Sequence, residues 1–364
     1  MIRLPVTTPS RSYEVLIAGG ALTRAGESIG NLLANRKAFV VTAPPIRKHW
    51  AKTLLKSLRE SGIETAIVEM RDGERAKRLS TLEKLAEQLL EAGADRGATL
   101  IAFGGGVVGD VAGFLASIYM RGVDVIQVPT TVVAQVDAAI GGKTGVNLVS
   151  GKNLLGTFHQ PRAVLVDPLA LATLSRRQYR AGLYEALKCG IIGDPGLFRL
   201  FEEKHKEILA RQPEILEKVI ADSVRLKASI VSADEREGSL RQVLNLGHTV
   251  GHALEAETEY DQLLHGEAVG WGLVAATYIA LSTGRLDSVT AGRIMNAVLS
   301  LGNLPRVNVK TANILKRLKF DKKTKQGVVH FILPREIGKV EITSDVPETA
   351  VRTAIEEMCK LARH

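Results

Sequence analysis

The spacing of apolar positions changes part-way along the chain. In the first half, short runs rich in β-branched and aromatic residues (Tyr13–Ile17, Ala38–Thr42, Glu64–Glu69, Thr99–Phe103 and Val123–Val128) read as strands. Helix-like segments lie between them. Ser80–Ala92 shows the pattern best: Leu82, Leu85 and Leu89 share one face, Ser80 stands as N-cap with Glu83 completing a capping box, and Gly93 stops the helix. Alternating βα units imply a parallel sheet. After about Ser175 the apolar spacing becomes helical, over Arg177–Gly190, Pro195–Ala210, Pro213–Ala233, Leu246–Thr258, Gly266–Thr283 and Ser288–Leu299. A β-like run at Gly327–Leu333 and a helix near Glu348–Leu361 complete the chain. The expected fold is therefore α/β, with a parallel-sheet domain over residues 1–175 and a mostly α-helical domain over 176–364. No internal repeat or low-complexity linker separates them, so the cleft between two closely packed halves is the default site.

Composition agrees with two domains. The chain has 364 residues, against a typical domain of about 150. With 45% hydrophobic and 24% charged residues it has the profile of an ordinary globular protein, not a disordered or fibrous one. The longest nearly apolar stretch, Ala268–Leu281, spans 14 residues. That is too short to cross a bilayer and reads as a buried helix, so no membrane partner is expected. The first ten residues lack the apolar segment of a secretory signal. Only two cysteines occur, Cys189 and Cys359, which argues against a disulfide framework and for a reducing cytoplasm. The net charge of +9 favours an anionic partner. Aromatic residues make up only 4% and no RNA-binding aromatic motif appears, so a small anion is expected and nucleic acid is not.

Three segments could hold a dinucleotide. In TLIAFGGGVVGDVAGF, Gly104, Gly106 and Gly109 have G-x-G-x-x-G spacing after a strand and at the start of a helix, where a pyrophosphate would sit. An isolated match serves equally for tight strand-to-helix packing. About four strands precede it, whereas the ordinary fingerprint follows the first, so a nucleotide domain here is a variant Rossmann topology. Asp72-Gly73-Glu74 with Lys77 follows the third strand, where acids could accept ribose hydrogen bonds and the lysine could neutralise phosphate. It also reads as a common polar turn. In PTTVVAQVDAAIGGKTGVN, Thr130 and Thr131 follow a strand end and Gly141–Thr144 forms a basic turn like a phosphate cradle. The upstream glycine of a Walker A loop is missing, which disfavours triphosphate hydrolysis.

The helical half carries metal-type spacing. His248 and His252, four residues apart, share a helix face, but the acid of the HExxH pattern is absent. His265-Gly266-Glu267 follows, and upstream Glu185 and Lys188 lie one helical turn apart. One carboxylate and two imidazoles suit Zn²⁺ or a similar Lewis acid with positions left open for substrate oxygens. The bland alternative has His248 as a helix cap, His265 on a surface loop and Glu185 in a salt bridge with Lys188.

In order, DGE-x-x-K, GGGVVGD-x-AGF, YMRGV, QVPTT, VD-x-x-IGGKTGVN, GKN, E-x-x-K, DEREG, R-x-x-LN-x-GH-x-x-GH and HGEAV extend from about Asp72 to Lys323. This succession resembles the 3-dehydroquinate synthase family of sugar-phosphate cyclases. The resemblance implies an NAD-binding first domain and a helical domain that binds metal and substrate. It implies Glu185, His248 and His265 as ligands of Zn²⁺ or Co²⁺. Around NAD it implies Asp72, Gly73, Glu74, Lys77, the turn Gly104, Gly105, Gly106, Val107, Val108, Gly109 and Asp110, then Thr130, Thr131, Asp137, Lys143 and Lys152. Around a sugar phosphate it implies Lys143, Lys152, Asn153, Lys188, Lys227, Arg241, Asn245 and His252. Asp137 would hold a substrate hydroxyl or the nicotinamide end, and Glu237 would order a water or proton path. Asp137, Lys143, Lys188, Glu237 and His252 are thus the implied catalytic set. Arg121 would reach the phosphate pocket of a neighbouring subunit in a homodimer. The basic run Lys316–Lys325 reads by itself as a solvated loop, yet the family pattern puts a lysine of Asp321-Lys322-Lys323 at the phosphate, with Lys323 preferred.

The implied reaction converts 3-deoxy-D-arabino-heptulosonate 7-phosphate to 3-dehydroquinate and phosphate, a step of the shikimate route. It proceeds through transient oxidation, elimination, reduction and internal aldol closure. Related cyclases act on substrates without a carboxylate. Arg241 with Lys227 argues against them, since a planar guanidinium matches a carboxylate bidentately. Polyol dehydrogenases are the more distant alternative and would need fewer anion-binding side chains.

Overall fold

The computed structural model describes residues 1–259, 261–324 and 329–362, without the side chains of Ala34 and residues 319–324. Strands β1 (Ile2–Thr7), β2 (Ser12–Ile17), β3 (Lys37–Thr42), β4 (Glu64–Glu69), β5 (Thr99–Gly104), β6 (Asp124–Pro129) and β9 (Ala163–Val166) form one sheet in the order β1-β2-β9-β6-β5-β3-β4. Only the β1–β2 pair is antiparallel. β7 (Lys143–Leu148) and β8 (Gly151–Phe158) make a separate hairpin.

Both faces of the large sheet are covered, as a parallel sheet requires. Phe39, Val41, Leu100, Ala102 and Val125 point to one face and meet Leu82, Leu85 and Leu89 of α4 (Leu79–Glu91) and Val111, Ala112 and Leu115 of α5 (Gly106–Ile118). The alternate residues Ala38, Val40, Ile101, Phe103 and Ile126 meet the short α1 (Ala25–Ile29) and Leu54 and Leu58 of α3 (Lys52–Glu60); α2 (Pro44–Ile46) is a single turn. The expected Ser80 cap is not used. The N-cap lies two residues earlier, at an extended Arg78 without a side-chain cap, so α4 starts at Leu79, and Thr81 Oγ1 donates to the Ala76 carbonyl at 2.7 Å.

The chain divides into two compact units, residues 1–174 with 216–236, and residues 175–215 with 237–364. The second contains α6 (Arg176–Gly193), α7 (Pro195–Leu209), α9 (His248–Glu257), α10 (His265–Ser282), α11 (Ser288–Ser300), α12 (Thr311–Thr324), α13 (Glu348–Leu361) and the hairpin β10 (Phe331–Glu336) with β11 (Lys339–Thr343). Helix α10 is apolar on nearly every side, because α6, α9, α11, α13 and β10 surround it.

Helix α8 (Pro213–Ala233) differs from the expectation of one helical domain running from residue 176. From Leu216 on it belongs to the sheet unit. The reason is a set of polar ties: Gly19 N to Glu217 at 3.0 Å, Thr7 N to Ser232 at 3.0 Å, and Lys227 to Asp137. Just past its end, Glu235 accepts from Thr8 at 3.0 Å and Gln160 at 2.9 Å. Among the described residues no helix is long and apolar enough to cross a membrane. Cys189 and Cys359 are buried and form no disulfide.

Candidate functional site

Three elements of the helical unit converge on one carboxylate. Glu185 lies in the middle of α6, His248 opens α9 and His265 opens α10. Close backbone contact brings the helices to this point. A Cβ on Gly266 would lie 1.8 Å from the Ala181 carbonyl oxygen, one turn before Glu185, and a Cβ on Gly272 would lie 1.8 Å from that of Gly247. Only glycine permits either approach. Glu267 fixes the start of α10, accepting from Leu264 N at 2.7 Å and from Arg177 Nε and Nη2 at 2.7 Å.

The two oxygens of Glu185 have different surroundings. Oε2 accepts from Lys188 Nζ at 2.5 Å. Oε1 is buried and makes no hydrogen bond among the described residues, with His265 Nε2 3.3 Å and His248 Nε2 3.7 Å away. Burial alone would push the Glu185 pKa up, but the Lys188, His248 and His265 charges hold it well below the usual value. Burial and the nearby Lys188 ammonium pull His248 well below the ordinary imidazole value, which keeps it in the neutral form that binds metals. For His265 burial works in the same direction, but the Glu185 and Glu255 carboxylates on either side of the ring outweigh it and raise the pKa to about 10. A site that favours positive charge on an imidazole wedged between two carboxylates also favours a divalent cation. Donor atoms of Glu185, His248 and His265 all lie within 4.8 Å of one another.

Nearby in the same unit, Arg241 is among the largest fully buried side chains, in the 3₁₀ turn Leu240–Asn245. Asn245 Nδ2 donates to Glu237 at 2.9 Å. His252 is exposed, with its ring 5.2 Å from that of His248.

In the sheet unit the glycine-rich turn follows β5 and opens α5, and Thr130–Thr131 and Asp72–Lys77 follow β6 and β4. All three lie at the C-terminal edge of the parallel strands, where α/β sheets bind ligands. Helix α5 has no side-chain cap at Gly105, so the N–H groups of its first turn can take an anion. Lys77 Nζ, buried, donates to Asp110 and to Asn153 Oδ1. Asn147 ties this group together, donating to Glu74 at 2.7 Å and accepting from Asn153 N at 2.9 Å. Lys227 Nζ donates to the Asp137 carbonyl at 2.7 Å and to its carboxylate. Asp72, Lys143 and Arg121 are exposed.

The family descriptions 3-dehydroquinate synthase N-terminal and C-terminal match residues 67–181 and 182–324. A 3-dehydroquinate synthase from Koribacter versatilis is 54% identical over 359 residues, covering 98% of each chain. The chain belongs to the 3-dehydroquinate synthase family. Among solved structures, 2-epi-5-epi-valiolone synthase from Streptomyces hygroscopicus, with NAD⁺ and Zn²⁺ bound, has a TM-score of 0.89 and 29% identity over 97% of this chain and 98% of its own. A 2-deoxy-scyllo-inosose synthase complexed with carbaglucose-6-phosphate, NAD⁺ and Co²⁺ has a TM-score of 0.84 and 26% identity over 98% and 99%.

The salt-bridge reading of Glu185 describes Oε2, which is paired with Lys188, while Oε1 faces the two imidazoles of the metal-type reading. The structure also brings in residues that the sequence reading passed over. Asn147 is buried inside the GGKTGVN motif, and Glu255 stands behind His265. Neither carries a local signal: Asn147 looks like one more strand residue, and Glu255 lies seven positions after His248 in an ordinary helical run. The side chain of Lys323 lies outside the described residues.

Proposed function

We propose that the chain converts 3-deoxy-D-arabino-heptulosonate 7-phosphate to 3-dehydroquinate and phosphate, with NAD and one Zn²⁺ or Co²⁺ and no net oxidation. The observation that carries this reading beyond family membership is the buried Glu185 Oε1, without a hydrogen bond and facing two imidazole nitrogens. Two imidazoles and a carboxylate make a donor set that leaves positions open for substrate oxygens. A metal ion bound there supplies Lewis acidity to the substrate's adjacent hydroxyl oxygens. NAD supplies a reversible hydride acceptor, so the oxidation at C5 is undone before product leaves. The neighbours solved with NAD⁺ and Zn²⁺ or Co²⁺ support the same pair.

The chain's own residues bind, orient and shield the anionic intermediates. Asp72–Lys77, Gly104–Asp110, Thr130 and Thr131 contact the nucleotide. Asp137, held by Lys227, keeps a fixed carboxylate for a hydroxyl or the nicotinamide end. Lys188 holds a proton donor against the metal-binding carboxylate. Arg241 takes the substrate carboxylate, which separates this chain from cyclases whose substrates have none. Lys143, Lys152, Asn153, Lys227, His252 and Lys323 take the phosphate and hydroxyls, and Glu237 orders a proton path through Asn245. Such positioning can lower the barrier by several kcal/mol, roughly 7 at the low end.

The working unit is a homodimer in the cytoplasm. The β7–β8 hairpin exposes Leu148, Val149, Leu154, Leu155 and Phe158, an apolar surface suited to a second copy, and Arg121 stands exposed on the same unit for the partner's phosphate. Two cysteines that form no disulfide fit a reducing compartment.

The test is an anaerobic assay of metal-loaded, full-length protein with NAD⁺ well below the substrate concentration. Phosphate and a product of 3-dehydroquinate mass should rise through many turnovers per NAD⁺, with no matching absorbance from free NADH. Substrate deuterated at C5 should keep its label in the product. NADH accumulating one for one with substrate, or label leaving with released cofactor, would replace this reading with a polyol dehydrogenase.

A further inference from the structure

We infer that Glu255 is the positioning residue that prepares His265 for the metal, by accepting a hydrogen bond from Nδ1–H so that Nε2, on the Glu185 side, is the nitrogen a metal takes. The inference rests on the metal-site reading above and adds a residue to it.

The geometry is a relay across one ring. His265 Nδ1 lies 3.2 Å from Glu255 Oε2, and Nε2 lies 3.3 Å from Glu185 Oε1. Both carboxylates are almost fully buried. An ionised carboxylate only accepts hydrogen bonds, so the nitrogen that faces Glu255 is the protonated one. A metal ligand must present a bare nitrogen, and the partner of the opposite ring nitrogen decides which one that is. His248 meets the same requirement by another route: its Nδ1 lies 3.2 Å from the Leu246 carbonyl oxygen, which is also only an acceptor. Each imidazole thus turns Nδ1 to a fixed acceptor and Nε2 to the Glu185 oxygen that lacks a hydrogen bond. His248 finds its acceptor two residues back in its own chain. His265, at the first position of α10, takes one from the neighbouring helix α9.

A competing arrangement uses the same atoms. Donor atoms of His252, Glu255 and His265 also lie within 4.8 Å of one another. In that case Glu255 would be a ligand, and the ion would lie on the Nδ1 side of the ring. Two features favour the positioning role: His252 is exposed to solvent, and the buried oxygen without a hydrogen bond belongs to Glu185.

The experiment uses full-length protein labelled with ¹⁵N-histidine, with Zn²⁺ affinity measured by competition against a chromophoric chelator. Glu255→Met keeps the volume and removes the acceptor, and Glu255→Gln keeps a neutral acceptor. Both should still bind one equivalent of Zn²⁺, the Met variant about 10- to 100-fold more weakly and the Gln variant by less. Long-range ¹H–¹⁵N spectra of the Zn²⁺-loaded wild type should show His265 protonated at Nδ1, and that hydrogen-bonded proton signal should be lost in Glu255→Met. His252→Ala should keep the wild-type affinity. A folded Glu255→Met with wild-type affinity and an unchanged Nδ1 signal overturns the inference; if Met prevents folding, wild-type affinity in Glu255→Gln does so. Retention of the metal in Glu185→Gln together with its loss in His252→Ala places the ion on the Nδ1 side and also overturns it. Wild-type protein that takes up no Zn²⁺ removes the metal reading itself, a different result from any of these.

Discussion

The two units balance their buried polar groups in opposite ways. At the edge of the sheet, charged groups neutralise one another: Lys77 pairs with Asp110, Lys227 with Asp137, and Asn147 bridges Glu74 to Asn153. In the helical unit the balance is left open, since one Glu185 oxygen is paired with Lys188 and the other faces two imidazoles without a hydrogen bond. A self-paired edge is satisfied as it stands, so a ligand there would exchange contacts one for one. A buried carboxylate oxygen without a donor is costly until a cation arrives. Substitutions in the helical unit should therefore have larger effects than those at the sheet edge.

The largest effect is expected at the three converging side chains. Chelator-treated protein should lose activity and regain it with Zn²⁺ or Co²⁺, because the ligands bind in deprotonated form. Ala at Glu185, His248 or His265 should abolish stoichiometric metal binding by elemental analysis. Full occupancy in a His248→Ala, His265→Ala double variant would remove the cluster as the metal site. Next comes Arg241. Truncating one partner of a desolvated charge pair costs about 2 to 5 kcal/mol, so Arg241→Ala should lower kcat/KM roughly 30- to 5,000-fold, and Arg241→Lys should not fully restore it. Wild-type kinetics in Arg241→Ala would reopen the cyclases that act on substrates without a carboxylate.

A smaller effect is expected at the sheet edge. Lys77→Ala should weaken NAD⁺ binding about tenfold, roughly the strength of one hydrogen bond to a charged group. It should also destabilise the protein, because burial already pushes the Asp110 pKa up and Lys77 offsets part of that. Lys77→Met with Asp110→Asn should then be more stable than Lys77→Met alone, a coupling that a double-mutant cycle reads directly. Additive effects in that cycle would mean that the pair does not neutralise itself, and the contrast between the units would fail.

The difference between the units also governs what the sequence disclosed. Strands β3, β5 and β6 are buried on both faces, so their apolar runs are continuous and visible. β1 alternates, exposes half its residues and contains Pro5, while β9 has only four residues, so neither stood out. The glycine-rich turn was legible because backbone shape demands particular residues there. The helix α8 was legible as a helix, but an amphipathic face does not say which core it meets, and Lys227 with Glu217 carried it to the sheet unit. The spacing of His248 and His252 marked a shared face but could not rank them. Glu255 was invisible because its role comes from packing α9 against α10, not from any local pattern.

The smallest expected effect separates stability from catalysis, at the carboxylate that ties the end of α8 to the sheet unit. Glu235 is largely buried and accepts from Thr8 Oγ1 at 3.0 Å, Gln160 Nε2 at 2.9 Å and Ser10 N at 3.3 Å. Burial alone would raise its pKa, but the hydrogen bonds from Ser10, Gln160 and Thr8 outweigh it and hold the folded value below the ordinary 4.5. A carboxyl whose folded pKa is depressed contributes stability at pH values above its unfolded pKa and loses it as pH falls through the folded one. Below the usual carboxylate range this contribution should therefore fade, and at neutral pH it should be fully present. Glu235→Gln keeps the shape but turns an N–H group toward Ser10 N or the Gln160 amide, so it should cost about 1 to 3 kcal/mol at pH 7. Lacking the titrating group, it should also show a shallower fall in apparent melting temperature between pH 5 and pH 3. The two melting curves should converge as the wild-type carboxylate takes up its proton. Curves that stay parallel through that window would show that the tie is held by packing of Thr8, Gln160 and their neighbours and not by the charge on Glu235.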